Sequence, residues 1–194
     1  GTTVATFGDL MRVPSSTTSL ERARAAGHRV EVVYSPRDAL DLARRYPDLR
    51  VVFLAVGFET TVPTIAGALA EAEAAGVPNF LILPGNKVMP PPMRALAADP
   101  DLGVDGFLLP GHVSVIVGAD AFRFLAADHG ISGAVVGFAP TDVLRGVLAL
   151  LERLASGEPG LLNLYGRVVT AAGNATARAV VERFFTPAPS TWRG

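Results

Sequence analysis

Short apolar, β-branched runs alternate along the chain with segments of helical periodicity, which is the order expected of parallel strands joined by crossover helices. Strands are expected at residues 3–7, 29–34, 50–56, 79–83, 105–109 and 133–138, and helices at 19–26, 36–46, 61–75, 92–98, 119–129 and 141–155. Each strand run is too continuously apolar to leave one face in water, so the sheets should be covered by helices on both sides. Start signals support the helices, with Ser35 before Pro36 and Thr61 ahead of Pro63, and Gly27, Gly76 and Gly130 are placed as stops. The fold class is α/β: parallel sheets flanked by helices, expected as two Rossmann-like lobes around a cleft.

Residues 84–92 hold four prolines and a glycine, a composition that continues neither a helix nor a central strand, and so mark the crossing between lobes. The expected division is 1–84 for the first lobe, 85–160 for the second, and 161–194 as a C-terminal segment that packs back on the first. Within that last segment, Leu161 to Tyr165 and a helix over 175–185 are the elements available to do so. Val56-Gly57-Phe58-Glu59-Thr60-Thr61 and Val136-Gly137-Phe138-Ala139-Pro140-Thr141 each run from an apolar strand into a helix. Their likeness raises the question of an ancient duplication, with chance as the rival.

Composition narrows the function. Seventeen basic and eighteen acidic residues leave a net charge of −1, with no basic run, so neither nucleic acid nor an anionic membrane surface is expected as a partner. No apolar stretch approaches the roughly 20 residues that span a bilayer, and the N-terminus has no leader pattern, so the expected location is cytoplasmic. There is no cysteine, hence no disulfide and no thiolate-held cluster, and the three histidines are scattered, so no metal site is expected in this segment. The chain opens without methionine, directly in a strand, and both ends read as cut from a longer protein.

In open parallel sheets ligands bind beyond the carboxyl ends of the strands, and three such ends are chemically distinctive. After the first strand come Gly8 and Asp9, then Arg12. Asp9 and Arg12 either pair, face a ligand together, or serve only to cap and neutralise a turn. After the third come Gly57, Phe58 and Glu59, then Thr60 and Thr61 opening a helix whose free N–H groups attract anions. Glu59 there is a candidate to orient a nucleophile, accept a proton or bind a cation, unless Thr61 is simply a cap and Glu59 a helix-start charge. After the fifth come Pro110, Gly111, His112 and Ser114, where an imidazole beside a hydroxyl could ligate metal or shuttle protons, although a metal site needs more ligands than one histidine. Lys87, between Asn86 and the prolines, is a minor candidate for a phosphate or carboxylate. Dinucleotide, phosphate-loop, serine-hydrolase and zinc-protease signatures are all missing.

The order and wording of these loops resemble the HypD family of hydrogenase maturation factors: Thr6-Phe7-Gly8-Asp9 with Arg12-Val13-Pro14, then Gly57-Phe58-Glu59-Thr60-Thr61 with Pro63, then Pro110-Gly111-His112-Val113-Ser114. Further matches are Tyr34-Ser35-Pro36 with Asp38-Ala39-Leu40, Gly137-Phe138 with Asp142 and Leu144, Tyr165 with Arg167-Val168, Gly173-Asn174, and Trp192-Arg193-Gly194. The chain departs from the family's wording at Ser15, Asn86 and Ala139, and it lacks the family's flanking cysteine motifs.

The resemblance implies an assembly scaffold more readily than a self-sufficient enzyme. It would help build the Fe(CN)2CO centre of nickel–iron hydrogenases with a HypC-like small chaperone and a HypE-like cyanide donor. By resemblance Asp9, Arg12, Glu59, Thr60, Thr61, His112 and Ser114 are cleft residues, and the family's iron and [4Fe-4S] cluster require cysteines absent from this chain. Two other readings stay open: a small-molecule-binding or transferase α/β domain using Glu59 and His112, and a purely structural module whose loops are only turn chemistry.

Overall fold

The computed structural model describes residues 1–191, so the Trp192-Arg193-Gly194 match lies outside the described residues. In chain order the elements are β1 (Thr2–Thr6), a 3-10 turn (Gly8–Arg12), α1 (Leu20–Ala25), β2 (Val30–Val32), α2 (Pro36–Arg45), β3 (Arg50–Ala55), α3 (Val62–Ala74) and β4 (Phe80–Pro84). They continue with α4 (Pro90–Ala97), β5 (Gly106–Pro110), α5 (Gly111–Val117), a 3-10 turn (Ala119–Phe122), α6 (Phe124–His129), β6 (Ser132–Val136), α7 (Pro140–Ser156), β7 (Leu161–Asn163) and α8 (Ala175–Phe184). One sheet runs β2-β1-β3-β4 and the other β5-β6-β7, and every pairing is parallel.

The chain forms two compact units. The first comprises Gly1–Gly57, Thr61–Lys87 and Val180–Thr186; the second comprises Phe58–Thr60, Val88–Ala179 and the described residues from Pro187. The C-terminal segment therefore divides. Leu161–Asn163 forms β7 beside β6 in the second sheet, whereas Phe185 packs on the core of the first unit and Arg183 pairs with Glu73.

The first core is built on Phe53, Leu40 and Ile65, all without exposed surface, with Phe7 meeting the Phe53 ring edge-on at 5.3 Å. Burying a side chain of this size stabilises the unit by about 1.5–3 kcal/mol. Helix α2 supplies Pro36, Ala39, Leu40 and Ala43, the i, i+3, i+4, i+7 stripe of a helix lying on a sheet. The second core gathers Leu109, Phe122, Leu125 and Val135 between its sheet and helices.

Four expectations change. The sheets are not covered throughout: Leu81 and Leu83 on β4 and Leu108 on β5 are exposed, because both strands lie at sheet edges. Helix α4 starts at Pro90 rather than 92, since proline is tolerated where the N–H would have no helical acceptor. Residues 111–117, expected as loop, form α5. The helix expected over 119–129 breaks into a 3-10 turn and α6.

Candidate functional site

In the first unit the strand order reverses direction between β1 and β3, and the loops following these two strands flank that switch point, where open α/β sheets bind ligands. Asp9 opens the 3-10 turn, and its Oδ1 accepts the N–H of Leu10 at 3.0 Å. Arg12 does not pair with Asp9; it points to Glu21 at 3.8 Å in solvent, an interaction worth little. Of the alternatives for Asp9, the pair with Arg12 is not made, and its contact is with the adjacent backbone N–H.

Gly57 ends β3 with φ of 136°, a conformation that side chains rarely adopt, and a Cβ there would collide with the Thr61 hydroxyl. Thr61 has helical backbone angles, and its side chain makes no capping bond; Thr61 Oγ1 instead accepts from Asn86 Nδ2 at 3.3 Å. Asn86 Nδ2 also reaches the Gly57 carbonyl at 3.5 Å, and the Lys87 N–H donates to that carbonyl at 2.9 Å. Asn86 thus ties the end of β3 to the segment after β4, a role that sequence reasoning missed. Asn86 Oδ1 and Thr6 Oγ1 are buried without a hydrogen-bond partner, so this strand edge keeps unused polar capacity.

In the second unit, Phe58 packs on the core, Thr60 is exposed, and Glu59 is only 8% exposed. Glu59 Oε1 accepts the Met89 N–H at 2.7 Å, while Oε2 is buried and unpartnered. Burial pushes the Glu59 carboxyl above the usual range, partly offset by the N–H of Met89 and its own amide. A raised carboxyl in a polar strand-end loop is suited to hold or pass a proton.

His112 stands exposed at the start of α5 with its ring 4.5 Å from that of Phe138. Ser114 is fully buried and donates to the Pro110 carbonyl at 3.0 Å. Two residues apart on a helix, His112 and Ser114 face different ways, so they do not form a nucleophile and base pair. Beneath them lies a network that the sequence shows only as scattered motif residues. Asp142, 6% exposed, accepts two N–H bonds from Arg167, one at 3.2 Å, and the guanidinium holds the Asp142 carboxyl below the usual range. Arg167 lies 4.3 Å over the Tyr165 ring.

The sequence has no cysteine, and among the described residues no group of three His, Asp or Glu side chains is placed to hold a metal ion. A thiolate-held cluster does not fit these residues. Among the same residues no helix is long and apolar enough to cross a membrane.

Fold and strand-end loops together define an α/β protein built on two parallel sheets, with its polar chemistry gathered at the carboxyl ends of the strands. The HypD family model, described as "Hydrogenase formation hypA family", matches residues 1–194, and the chain belongs to this family. It is 45% identical over 190 residues to "Hydrogenase maturation factor HypD" of Rhodobacter capsulatus, covering 97% of this chain and 50% of the relative. The protein of the same name from Escherichia coli K12 is also 45% identical over 190 residues, with 97% and 51% covered. That of Rhizobium leguminosarum bv. viciae is 42% identical over 200 residues, with 99% and 52% covered. The chain spans about half the length of the curated relatives it matches.

Proposed function

We propose that this chain is the α/β part of a hydrogenase maturation scaffold, acting in the cytoplasm on an iron cargo that acquires cyanide and carbonyl ligands with HypC-like and HypE-like partners. The observation that carries the reading is the family match along the whole of this chain, with 45% identity to a relative of which it spans half, in a chain whose motif loops fall at strand carboxyl ends. Iron in this reading is substrate. Any [4Fe-4S] cluster is held by thiolates that this sequence does not contain.

Each unit contributes its own loops. In the first, Asp9 and Arg12 follow β1, Thr61 follows β3 and Lys87 follows β4, with Asn86 bonded to the Thr61 hydroxyl. In the second, Glu59 supplies a carboxyl that takes a proton more readily than usual, Thr60 an exposed hydroxyl, and His112 an exposed imidazole. Ser114 supports the turn from which His112 projects rather than meeting a ligand.

The test is complementation of a host lacking its own HypD with the full-length protein, reading nickel–iron hydrogenase activity. Wild type should restore activity, and Glu59→Gln and His112→Ala should each lower it by roughly 10²-fold or more, as losing a proton-transfer group does. Restoration by both variants at the wild-type level would overturn the assignment of these residues. Failure of the wild type itself would overturn the maturation role and favour a small-molecule-binding or transferase domain.

A further inference from the structure

We propose that Asp142, Arg167 and Tyr165 form a positioning clamp that sets the orientation of His112 at the tip of β5; the proposal rests on the reading of His112 as a site residue. The links are all direct contacts. Asp142 packs so closely on Gly137 that a Cβ there would collide with the Asp142 carboxylate, and would lie 2.8 Å from the Tyr165 ring. A Cβ on Gly111 would strike the Val136 carbonyl and lie 2.5 Å from the same ring. One tyrosine ring therefore braces the two strand-end glycines at once. The residue after Gly111 is His112, the residue after Gly137 is Phe138, and their rings are the pair that meet at 4.5 Å. Arg167 closes the circuit by gripping Asp142 with two nitrogens while lying over the Tyr165 ring.

Stability alone gives little reason for this arrangement. Asp142 is buried but the Arg167 side chain is 56% exposed, and an ion pair open to solvent on one side gains little net stability from its attraction. What a two-pronged guanidinium–carboxylate contact supplies is one fixed geometry. Here that geometry reaches the exposed imidazole through two glycines packed too closely on the clamp to carry a side chain.

The experiment uses the full-length protein, treated with diethyl pyrocarbonate, with carbethoxylation of each histidine followed by mass spectrometry. His28 and His129, which lie outside the network, are internal references. Arg167→Ala and Asp142→Asn should change the reaction rate of His112 severalfold and leave the other two unchanged, while hydrogenase maturation falls roughly tenfold or more, as small misplacements of a working group do. Arg167→Lys keeps the charge but loses the fork, and should act on His112 as Arg167→Ala does; it also serves if the alanine variant fails to fold. An unchanged His112 rate in the folded variants overturns the clamp, whatever happens to maturation. Wild-type maturation by His112→Ala would instead sink the underlying reading of His112, even with the rate altered by Arg167→Ala.

Discussion

At Glu59 a buried carboxyl has one oxygen bonded to the Met89 N–H and the other unpaired, so the fold opposes its charge. Its proton affinity is higher folded than unfolded. Between the ordinary glutamate range and that raised value the native state binds more protons, and stability falls as pH rises through the window. Glu59→Gln should therefore raise the melting temperature at neutral pH and flatten its decline from acid to neutral. Calorimetry across that range checks it, and an unaltered slope would refute it. Glu59 was recognisable in the sequence as a polar residue at a strand tip, but its half-satisfied state was not, because that depends on Met89, thirty residues away. Thr61 does hold the N-cap position of α3, but its hydroxyl makes no capping bond, for a similar reason: Asn86, twenty-five residues on, donates to it.

Among the elements, those with local signals agree with the sequence. Helix α2 begins with a complete capping box, in which Ser35 Oγ accepts from the Asp38 N–H at 3.1 Å while Asp38 Oδ2 accepts from the Ser35 N–H at 3.0 Å. Ser35→Ala should lower stability by about 1 kcal/mol, measured by denaturant unfolding; no change would mean that Pro36 alone sets the helix start. Helix α5 shows the opposite case. Val113, Val115, Ile116 and Val117 favour strand locally. The end of this helix is held from outside, by the Asn174 N–H on the Ile116 carbonyl and by Ala119 and Asp120 N–H groups on Thr170 and Ala171 carbonyls. Those acceptors come from a segment more than fifty residues away, so no local window could have shown them.

For the molecule as a whole, the weight of the first unit rests on a few fully buried side chains. Phe53→Ala should cost about 3–5 kcal/mol by calorimetric or denaturant unfolding, the usual loss for an aromatic core residue. A loss under about 1 kcal/mol would show that the core collapses around the gap. Helix α7 presents a different surface, since Leu144, Leu148, Leu151 and Leu154 are exposed while Asp142 and Gly146 turn inward. Its apolar pattern reads as core in sequence, yet the two residues it fully buries are a charge and a glycine. Gly146 is there because α7 lies directly on Val136 and Leu108, leaving no room for a Cβ.

The α/β class, most of the order of strands and helices, α5 and β7 excepted, and the three loops of polar residues follow from the sequence itself, because period, capping chemistry and glycine placement act over a few neighbouring residues. Tertiary structure alone decided that β7 joins β6, that Arg12 turns to Glu21, that Ser114 faces inward, and that Asp142, Arg167 and Tyr165 meet beneath His112. Each of these depends on packing or pairing between segments far apart in the chain, and desolvation and shape, not local propensity, choose the partner.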